Sequence, residues 1–315
     1  MERTDTQELN GLSLAGFADF LRDSGFPRRL IELARDEDLS LDPHDWTGEL
    51  MFGPDERRRV VMRSRESGVA AGLAFVPDLV EAFADPEQIE WELALKDGEP
   101  IEPGTVLAEF TGNARTIVRL ERTMLNLIAR MCSIATLTRS FVTLVEGTKA
   151  SICDTRKTTP GLRAFEKYAV RCGGGTTHRM GLSDALLIKD NHLAGVEPGD
   201  LADRIRSCAH RLQTQDIRVS FVMVEVDTLG QFESMLGVDD GLVDIVLLDN
   251  MNPDQLAKAV SLRDASGRTL LLEASGGVNK DTVSAIARTG VDRISIGALT
   301  HQAQSLDIGL DAMEE

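Results

Sequence analysis

The sequence has few aromatic residues, few cysteines and fewer basic than acidic side chains. It holds one Tyr and two Trp among 315 residues, so stacking platforms for single-stranded nucleic acid are not expected. With 34 Lys and Arg against 51 Asp and Glu, a net charge of −17 argues against an extended basic face. The four cysteines lack paired spacing, which is typical of reduced thiols and not of a disulfide framework or zinc site. Together these shortages disfavour a nucleic-acid partner.

Long apolar runs are also missing. None approaches the roughly 20 residues that a membrane-spanning helix needs, and the opening segment MERTDTQELNGLSL is too acidic and polar for a signal peptide. With 42% hydrophobic and 27% charged residues, the composition is that of an ordinary globular protein. We therefore expect a cytoplasmic protein without a membrane partner, built as one large domain or two smaller ones.

One stretch, from Asp154 to His192, departs from this acidic background. It contains seven Lys or Arg residues against four Asp or Glu, a local net charge of +3 around the run Gly173-Gly174-Gly175. Such a concentration of positive charge predicts a pocket for a small polyanionic metabolite. The glycine run lacks the Gly-Lys-Ser/Thr ending of a P-loop, which disfavours nucleotide hydrolysis. Cys172 beside it is either a nucleophile or, more simply, a packed thiol.

The first part of the chain mixes helices and strands without strict alternation, which predicts a small α+β domain. The patterns predict helices over 12–21, 28–37 and 70–83, and strands over 57–66, 88–95 and 105–110. A long helix begins near Ala114, and Arg122 lies nearly opposite its apolar stripe, so the pattern alone indicates a solvated arginine. The stripe consists of Ile117, Leu120, Met124, Leu127, Ile128 and Met131.

From Ala150 onward, short apolar runs alternate regularly with helical segments. The runs are ASICD, ALLIK, SFVMVEV, DIVLLD, TLLLEAS and RISIG. Continuous apolar strands separated by helices predict a parallel sheet covered on both faces. Six such units without a dinucleotide-binding fingerprint favour a closed α/β barrel over an open doubly wound sheet.

Polar residues follow these runs at one place in each unit, the C-terminal end of the predicted strand. In a parallel barrel all of these positions ring one mouth, where active sites are found. The set comprises Asp154, Arg156, Lys157, Lys189, Asp190, Glu225, Asp249, Asn250, Ser275, Gly276, Gly277 and Gly297. Loop residues are usually polar, so one such position alone would mean little. Polar residues at the same place in all six units favour a functional site.

The ring divides by charge. Its cationic side suits carboxylates and phosphates and consists of Arg156, Lys157, His178, Arg179 and Lys189. Glu225 and Asp249 could hold magnesium or ribose hydroxyls, or could instead pair with the cations as a structural salt-bridge network. The glycines of Ser275-Gly276-Gly277 and Gly297 would let backbone amides approach a phosphate closely.

Several of these segments resemble the bacterial quinolinate phosphoribosyltransferase family. They are ERTMLNLIAR, DTRKTTPGLRAFEKYAVRCGGGTTHRMGLSDALLIKDNH, VEVDTLGQFE, VLLDNM, LEASGGV and ISIGALTH. The segment DWTGELMFGPDERRRVVMRSRESGVAAGL is similar to the opening domain of that family, whereas the first forty or so residues have no convincing counterpart. The DTRKTTPG block is highly specific, while the SGG and GALTH elements are shared with other phosphate-binding barrels.

The resemblance implies a two-domain fold and a reaction. An N-terminal α/β sandwich over 1–126, with the tail 299–315 packing back on it, would join an incomplete parallel α/β barrel of the type II phosphoribosyltransferase kind over 127–298. The protein would work as a head-to-tail homodimer with shared active sites. It would convert quinolinate and phosphoribosyl pyrophosphate to nicotinate mononucleotide, pyrophosphate and CO2 in NAD biosynthesis, with Mg2+.

The resemblance also implies roles for individual residues. Arg156, His178 and Arg179 would hold the two carboxylates of quinolinate, and Lys157 and Lys189 would contact substrate and pyrophosphate. Glu225 and Asp249 would serve the ribose and the magnesium ion. Ser275, Gly276 and Gly297 would bind the 5′-phosphate, and Arg122 would reach quinolinate in the neighbouring subunit. Thr177 departs from the family pattern, because Asn usually precedes the His-Arg pair there.

Two alternatives compete with this assignment. The first is the molybdenum-transport-associated paralogue of the family, whose members tend to lose the charged DTRKT block that is intact here. The second is a non-catalytic sensor that binds a phosphorylated metabolite on an inherited barrel. Loss of Glu225, Asp249 or Lys157 would favour the sensor, and all three residues are present.

Overall fold

The chain divides into two units, each built on its own sheet, in a computed structural model that describes residues 6–39, 44–85 and 87–313. The antiparallel-sheet unit consists of 12–39, 44–85, 87–139, 158–174 and 299–313. The parallel-sheet unit consists of 6–11, 140–157 and 175–298. Residues 1–5, 40–43, 86 and 314–315, which the predicted domain ranges include, lie outside the described residues.

The elements of both units follow the chain in this order. The strands are β1 (Arg57–Ser64), β2 (Gly68–Val69), β3 (Ile89–Leu93), β4 (Pro100–Ile101), β5 (Val106–Asn113), β6 (Ser151–Cys153), β7 (Leu186–Ile188), β8 (Val222–Val226), β9 (Ile245–Asp249), β10 (Leu271–Ser275), β11 (Arg293–Ser295) and β12 (Ile308–Ala312). The α-helices are α1 (Thr6–Gly11), α2 (Leu14–Asp23), α3 (Phe26–Leu39), α4 (Trp46–Met51), α5 (Val76–Phe83), α6 (Ala114–Leu144), α7 (Arg163–Cys172), α8 (Leu201–Thr214), α9 (Leu229–Leu236), α10 (Pro253–Ser266), α11 (Val283–Arg288) and α12 (Ala298–His301).

The antiparallel-sheet unit carries a four-stranded sheet in the order β12-β1-β5-β3. Val60 of β1 pairs with Phe110 of β5 on one side and with Ala312 of β12 on the other, so the C-terminal strand completes the sheet. The predicted strands β1, β3 and β5 are confirmed. The helix predicted over 70–83 is confirmed only from Val76 onward, because Gly72 breaks the pattern at φ +93°.

The long helix α6 buries the whole predicted apolar stripe. It lies so close to Gly72 that a Cβ there would meet Met131 Cε at 2.1 Å, which explains why the chain needs a glycine at that turn. By length and composition α6 is the one helix among the described residues that could cross a membrane. More than half of its most apolar window is buried inside the protein, so α6 is a core helix.

The parallel-sheet unit carries six parallel strands in the order β6-β11-β10-β9-β8-β7. The core beside β7, β8 and β9 includes Ala185, Phe221, Met223, Ile245 and Leu247, all nearly inaccessible to solvent, as expected for strands covered on both faces. Within the described residues the sheet stays open: β7 ends it on one side, and beyond β6 there is only a single bridge from Cys153 to Thr176. The closed barrel predicted from strand–helix alternation is therefore wrong, because alternation specifies parallel strands but not closure. The incomplete barrel that the family resemblance implies is the fold observed.

Candidate active site

The strand register brings the polar residues predicted from sequence to one edge of the parallel sheet. Ser275 pairs with Asp249 across β10 and β9, and Ile188, the residue before Lys189, pairs with Val224, the residue before Glu225. Because all six strands are parallel, their C-terminal ends share this edge. In sheet order, the residues at or just beyond the strand ends are Lys157, Gly297, Ser275, Asp249, Glu225 and Lys189.

Gly297 lies directly beneath the side chain of Lys157. A Cβ at position 297 would come within 2.7 Å of Lys157 Cδ, so any larger residue would push this lysine from its present place. The sequence predicts that Gly297 lets a backbone amide approach a phosphate. In the structure, the missing side chain of Gly297 also leaves the space that the aliphatic part of Lys157 occupies.

The two acidic residues at this edge, Glu225 and Asp249, have different partners. Lys189 Nζ forms an ion pair with Glu225 Oε2, as the structural salt-bridge alternative predicted. Asp249 instead accepts a hydrogen bond of 2.6 Å from Asn250 Nδ2. Burial and the neighbouring charge of Asp227 raise the pKa of Asp249, against the opposing charges of Lys189 and Lys157. A further cation beside Asp249 would therefore stabilise its ionised carboxylate.

The Ser275-Gly276 turn is built against Asn250. Gly276 has φ +89°, and a Cβ there would meet Asn250 Oδ1 at 2.2 Å, so both conformation and space require glycine. Asn250 itself has φ +53°, and its N–H donates to the carbonyl of Ser275 at 2.9 Å. The two loops after β9 and β10 therefore hold each other in place.

His178 and Arg179 lie on an irregular loop whose amides are held largely by side chains. The N–H of His178 donates to Asp154 Oδ1 at 2.8 Å, and the N–H of Arg179 donates to His178 Nδ1 at 2.8 Å. Further along, the Gly181 N–H donates to Asp184 Oδ1 at 2.8 Å. These fixed amides make the loop a specific structure although it contains neither helix nor strand.

A buried acid lies behind His178. Glu273, in the middle of β10, is fully buried, accepts a hydrogen bond of 2.8 Å from Arg293 Nε and lies 3.5 Å from His178 Nε2. Burial alone would raise the pKa of Glu273, but its interactions with His178 and Arg293 outweigh burial and lower the pKa to about 2. Since Nδ1 of His178 accepts a hydrogen bond, Nε2 is assigned the proton that faces Glu273.

Sequence reasoning missed Glu273 and Arg293. A usable signal for Glu273 was present, because an acidic residue in the apolar run TLLLEAS must be paired if the strand is buried on both faces. Arg293 gave no comparable signal, since its partner is fixed only by the pairing of β10 with β11, which places Arg293 opposite Glu273.

The arginines of the parallel-sheet unit are available for anion binding in different degrees. Arg156 is half-buried, and its Nε is inaccessible to solvent without a hydrogen-bond partner in the described part of the chain. Arg179 is buried and donates to the carbonyl of Ala185 at 3.3 Å. A buried guanidinium nitrogen without an acceptor is costly unless a ligand supplies one.

Not all of the positive charge predicted for the pocket belongs to the same unit. Arg163, Lys167 and Arg171 lie on α7 in the antiparallel-sheet unit, where Arg171 donates to the carbonyl of Leu12. Arg122, on α6 of that unit, has an exposed side chain 3.8 Å from Glu121, as the position opposite the apolar stripe predicted.

Gly173, the first glycine of the run, and the adjacent Cys172 have packing roles. A Cβ at Gly173 would meet the carbonyl oxygen of Ala135 at 2.5 Å, so this glycine lets the end of α7 approach α6 closely. Arg139 Nε donates to the carbonyl of Gly173 at 2.9 Å. Burial raises the pKa of the Cys172 thiol well above its ordinary value, which disfavours a nucleophilic thiolate. The packed-thiol interpretation is the one the structure supports.

Comparison with known proteins agrees with this geometry. Two family models cover most of the chain: the quinolinate phosphoribosyl transferase C-terminal domain matches residues 134–311, and the N-terminal domain of the same family matches 45–132. The carboxylating nicotinate-nucleotide pyrophosphorylase of Mycobacterium leprae is 43% identical over 250 residues, which are 79% of this chain and 84% of that protein. A probable enzyme of the same name from Bacillus subtilis is 38% identical over 85% of this chain and 87% of its own.

A solved structure is similar over nearly the whole chain. The nicotinate-nucleotide pyrophosphorylase of Francisella tularensis superposes with a TM-score of 0.79 at 33% identity, covering 92% of this chain and 96% of that one. The fold class and the enzyme class predicted from the sequence are thereby confirmed. The chain belongs to the quinolinate phosphoribosyltransferase family and is a decarboxylating phosphoribosyltransferase of NAD biosynthesis.

Proposed function

We propose that the chain transfers a phosphoribosyl group from phosphoribosyl pyrophosphate to quinolinate at the C-terminal edge of the parallel sheet. The products would be nicotinate mononucleotide, pyrophosphate and CO2. The observation that carries this placement is the concentration of Arg156, Lys157, Arg179 and Lys189 in one unit, with the Arg156 Nε buried and lacking an acceptor among the described residues. A dianionic pyridine and a pyrophosphate are anions of the kind that such cations bind, and one of their oxygens would supply the missing acceptor for Arg156 Nε.

The loop of His178 and Arg179, together with Arg156, would bind the two carboxylates of quinolinate. Hydrogen bonds already fix the main chain at His178 and the His178 ring before the substrate binds. Little further ordering of this loop is therefore needed when the quinolinate ring binds. Arginine contacts a carboxylate through two parallel N–H groups, which also fixes the orientation of the ring. Lys157 and Lys189, at the two ends of the edge, would contact substrate and the departing pyrophosphate.

The acidic residues at the edge would act on the ribose. Displacement of pyrophosphate by the pyridine nitrogen passes through a ribose with cationic character, which nearby carboxylates stabilise. Glu225 and Asp249 would have this task, and the ion pair with Lys189 would keep Glu225 oriented toward the ribose hydroxyls. After transfer, the quaternised ring nitrogen can stabilise the carbanion that forms as CO2 departs, so the protein needs chiefly to hold the ring.

The acidic side fits a magnesium ion that is shared with substrate. Mg2+ usually retains several waters and takes one or two carboxylates together with substrate phosphates. Within the described residues no three His, Cys, Asp or Glu side chains could hold a metal by themselves. Asp249, whose pKa is raised by burial and by Asp227, is the favoured carboxylate, with Glu225 as the second. When bound, the ion would neutralise the charge of the departing pyrophosphate.

The turn Ser275-Gly276 and the strand end at Gly297 would bind the 5′-phosphate. Their glycines allow backbone amides to face an anion without a side chain in between. The left-handed φ of Gly276 and of Gly277 supports this role, because successive residues of that kind turn N–H groups toward one side.

Other parts of the sequence prediction also remain proposals. We infer a homodimer in which Arg122, exposed on α6, contributes to the site of the neighbouring subunit. The proposed domains are 1–126 with the tail 299–315, and 127–298. The proposed location is the cytoplasm.

A direct test supplies the protein with quinolinate labelled at the 2-carboxyl group, phosphoribosyl pyrophosphate and Mg2+. We expect labelled CO2, nicotinate mononucleotide and pyrophosphate in equal amounts. Arg156→Met should lower turnover at least ~10²-fold because its guanidinium, of which Nε is buried, meets the substrate, whereas Arg204→Met, on the exposed face of α8, should not. Binding of both substrates without any product would instead favour a non-catalytic sensor.

A further inference from the structure

The side chain of Asn10 holds both main-chain groups of Thr177, 167 positions away in the chain. Asn10 Oδ1 accepts from the Thr177 N–H at 2.7 Å, and Asn10 Nδ2 donates to the Thr177 carbonyl at 2.9 Å. Both residues belong to the parallel-sheet unit, and Thr177 is fully buried. Its main-chain groups cannot turn to bulk water instead, so this pair of hydrogen bonds matters for the local structure.

The two bonds replace a missing strand. Thr176 is bonded toward β6, through its N–H to the carbonyl of Ile152 at 2.8 Å, and His178 donates toward the same side, to Asp154. In an extended chain, the main-chain groups of successive residues point to opposite sides. Because the N–H groups of Thr176 and His178 face β6, the N–H and the carbonyl of Thr177 point away from it. The amide of Asn10 offers one acceptor and one donor there, as a neighbouring strand would.

Asn10 is itself anchored. It lies on α1, and the preceding residue Leu9 is buried, with 2% of its surface exposed. This helix lies outside residues 45–311, the part of the chain that the two family models span. The contact therefore joins a segment beyond the family match to the residue that directly precedes His178 and Arg179.

We propose that Asn10 is a positioning residue that fixes the His178-Arg179 loop for recognition of quinolinate. The inference rests on the proposed function, since it assigns that loop to the quinolinate carboxylates. Asn10 touches no reacting group; it acts through the peptide of Thr177, whose displacement would move both substrate-binding side chains together. Phosphoribosyl pyrophosphate, bound by other parts of the edge, should be affected little.

The test is Asn10→Ala in the full-length protein, with steady-state kinetics for each substrate. Loss of the two bonds leaves a buried donor and a buried acceptor without partners, and about 1.4 kcal/mol of lost positioning corresponds to tenfold. We expect the KM for quinolinate to rise about tenfold, with the KM for phosphoribosyl pyrophosphate changed less than about twofold. Asn10→Asp still accepts from the Thr177 N–H but sets a second acceptor against the Thr177 carbonyl. It should therefore also raise the KM for quinolinate, and it serves as well if the alanine variant does not fold.

Asn113→Ala is the matched control. Like Asn10, Asn113 donates to a main-chain carbonyl, that of Pro54, and accepts from a main-chain N–H, that of Thr116, whose hydroxyl also donates to it; these bonds lie in the other unit. This variant should leave the KM for quinolinate unchanged. Amide hydrogen exchange supplies a readout independent of activity: Thr177 and His178 should exchange faster in Asn10→Ala.

The possible failures are distinguishable. An inactive wild-type protein would contradict the proposed function itself, whatever the Asn10 variants do. With an active wild type, an unchanged KM for quinolinate in both Asn10 variants would overturn the positioning role. An equal rise in the KM values for both substrates, or the same rise in Asn113→Ala, would indicate general loosening and would overturn it as well.

Discussion

Replacing Glu273 by Gln tests the buried charge network behind His178. The substitution keeps the size of the side chain and removes its negative charge, leaving Arg293, whose side chain is 14% exposed, without its ionic partner. Folding lowers the pKa of Glu273 from an ordinary value of 4.5 to about 2. At about 1.4 kcal/mol for each pH unit between the two values, this corresponds to on the order of 3 kcal/mol at pH 7.

The pH dependence has a definite sign. Because the pKa is lower in the folded protein, the stabilisation by ionised Glu273 is complete above pH 4.5 and is lost as the pH falls toward 2. The difference in free energy of unfolding between the wild type and Glu273→Gln should therefore be on the order of 3 kcal/mol at pH 7 and should become smaller as the pH falls from 4.5 toward 2. Other carboxylates contribute equally to both proteins and cancel in the difference.

Urea unfolding at several pH values, followed by circular dichroism, measures this difference. Glu92→Gln, at an exposed position of β3, is the control and should change the unfolding free energy by less than about 0.5 kcal/mol at every pH. A difference for Glu273→Gln that stays constant with pH, or that is below about 1 kcal/mol at pH 7, would refute the assignment of Glu273 as an ionised partner of Arg293 and His178.

Three further predictions concern residues of the proposed site. Asp249→Asn should keep near-normal thermal stability while turnover falls at least ~10²-fold; a variant that unfolds early but works normally when folded would instead support a structural role. Arg122→Ala and Glu225→Ala should each be nearly inactive alone, and co-refolding them should restore about a quarter of wild-type activity if two subunits share each site; verified mixed dimers without recovery would contradict the sharing. Gly297→Ala should displace Lys157 and lower turnover roughly tenfold or more at unchanged melting temperature. Steady-state kinetics and thermal melts measure both quantities, and normal turnover would contradict the idea that Lys157 must lie directly against Gly297.

The sequence predicts the edge residues because a single local rule places them. Each of Lys189, Glu225, Asp249 and Ser275 ends or follows an apolar run, and parallel pairing alone carries all of these positions to one edge. The apolar stripe of α6 is predictable for the same reason, since helical spacing within one segment decides which side chains are buried.

What sequence patterns do not reveal depends on contacts between distant segments. The bond from Asn10 to Thr177 gives no local signal, because an Asn in a short helix is ordinarily a surface residue. The break of the predicted helix at Gly72 is set by Met131 on α6, and the role of Gly173 is set by Ala135. Strand–helix alternation by itself also mispredicts a closed sheet, since local alternation does not determine whether the edge strands meet, whereas the family resemblance implies the incomplete barrel that is observed.

Turnover of quinolinate compared with nicotinate tests the central claim most directly. A site whose cations meet two carboxylates leaves buried charge unpaired when the 2-carboxylate is absent, and such a site can discriminate by ~10⁴. With phosphoribosyl pyrophosphate and Mg2+ in excess, the purified protein should convert quinolinate and leave nicotinate and nicotinamide essentially unchanged. Comparable rates with quinolinate and nicotinate would contradict the account.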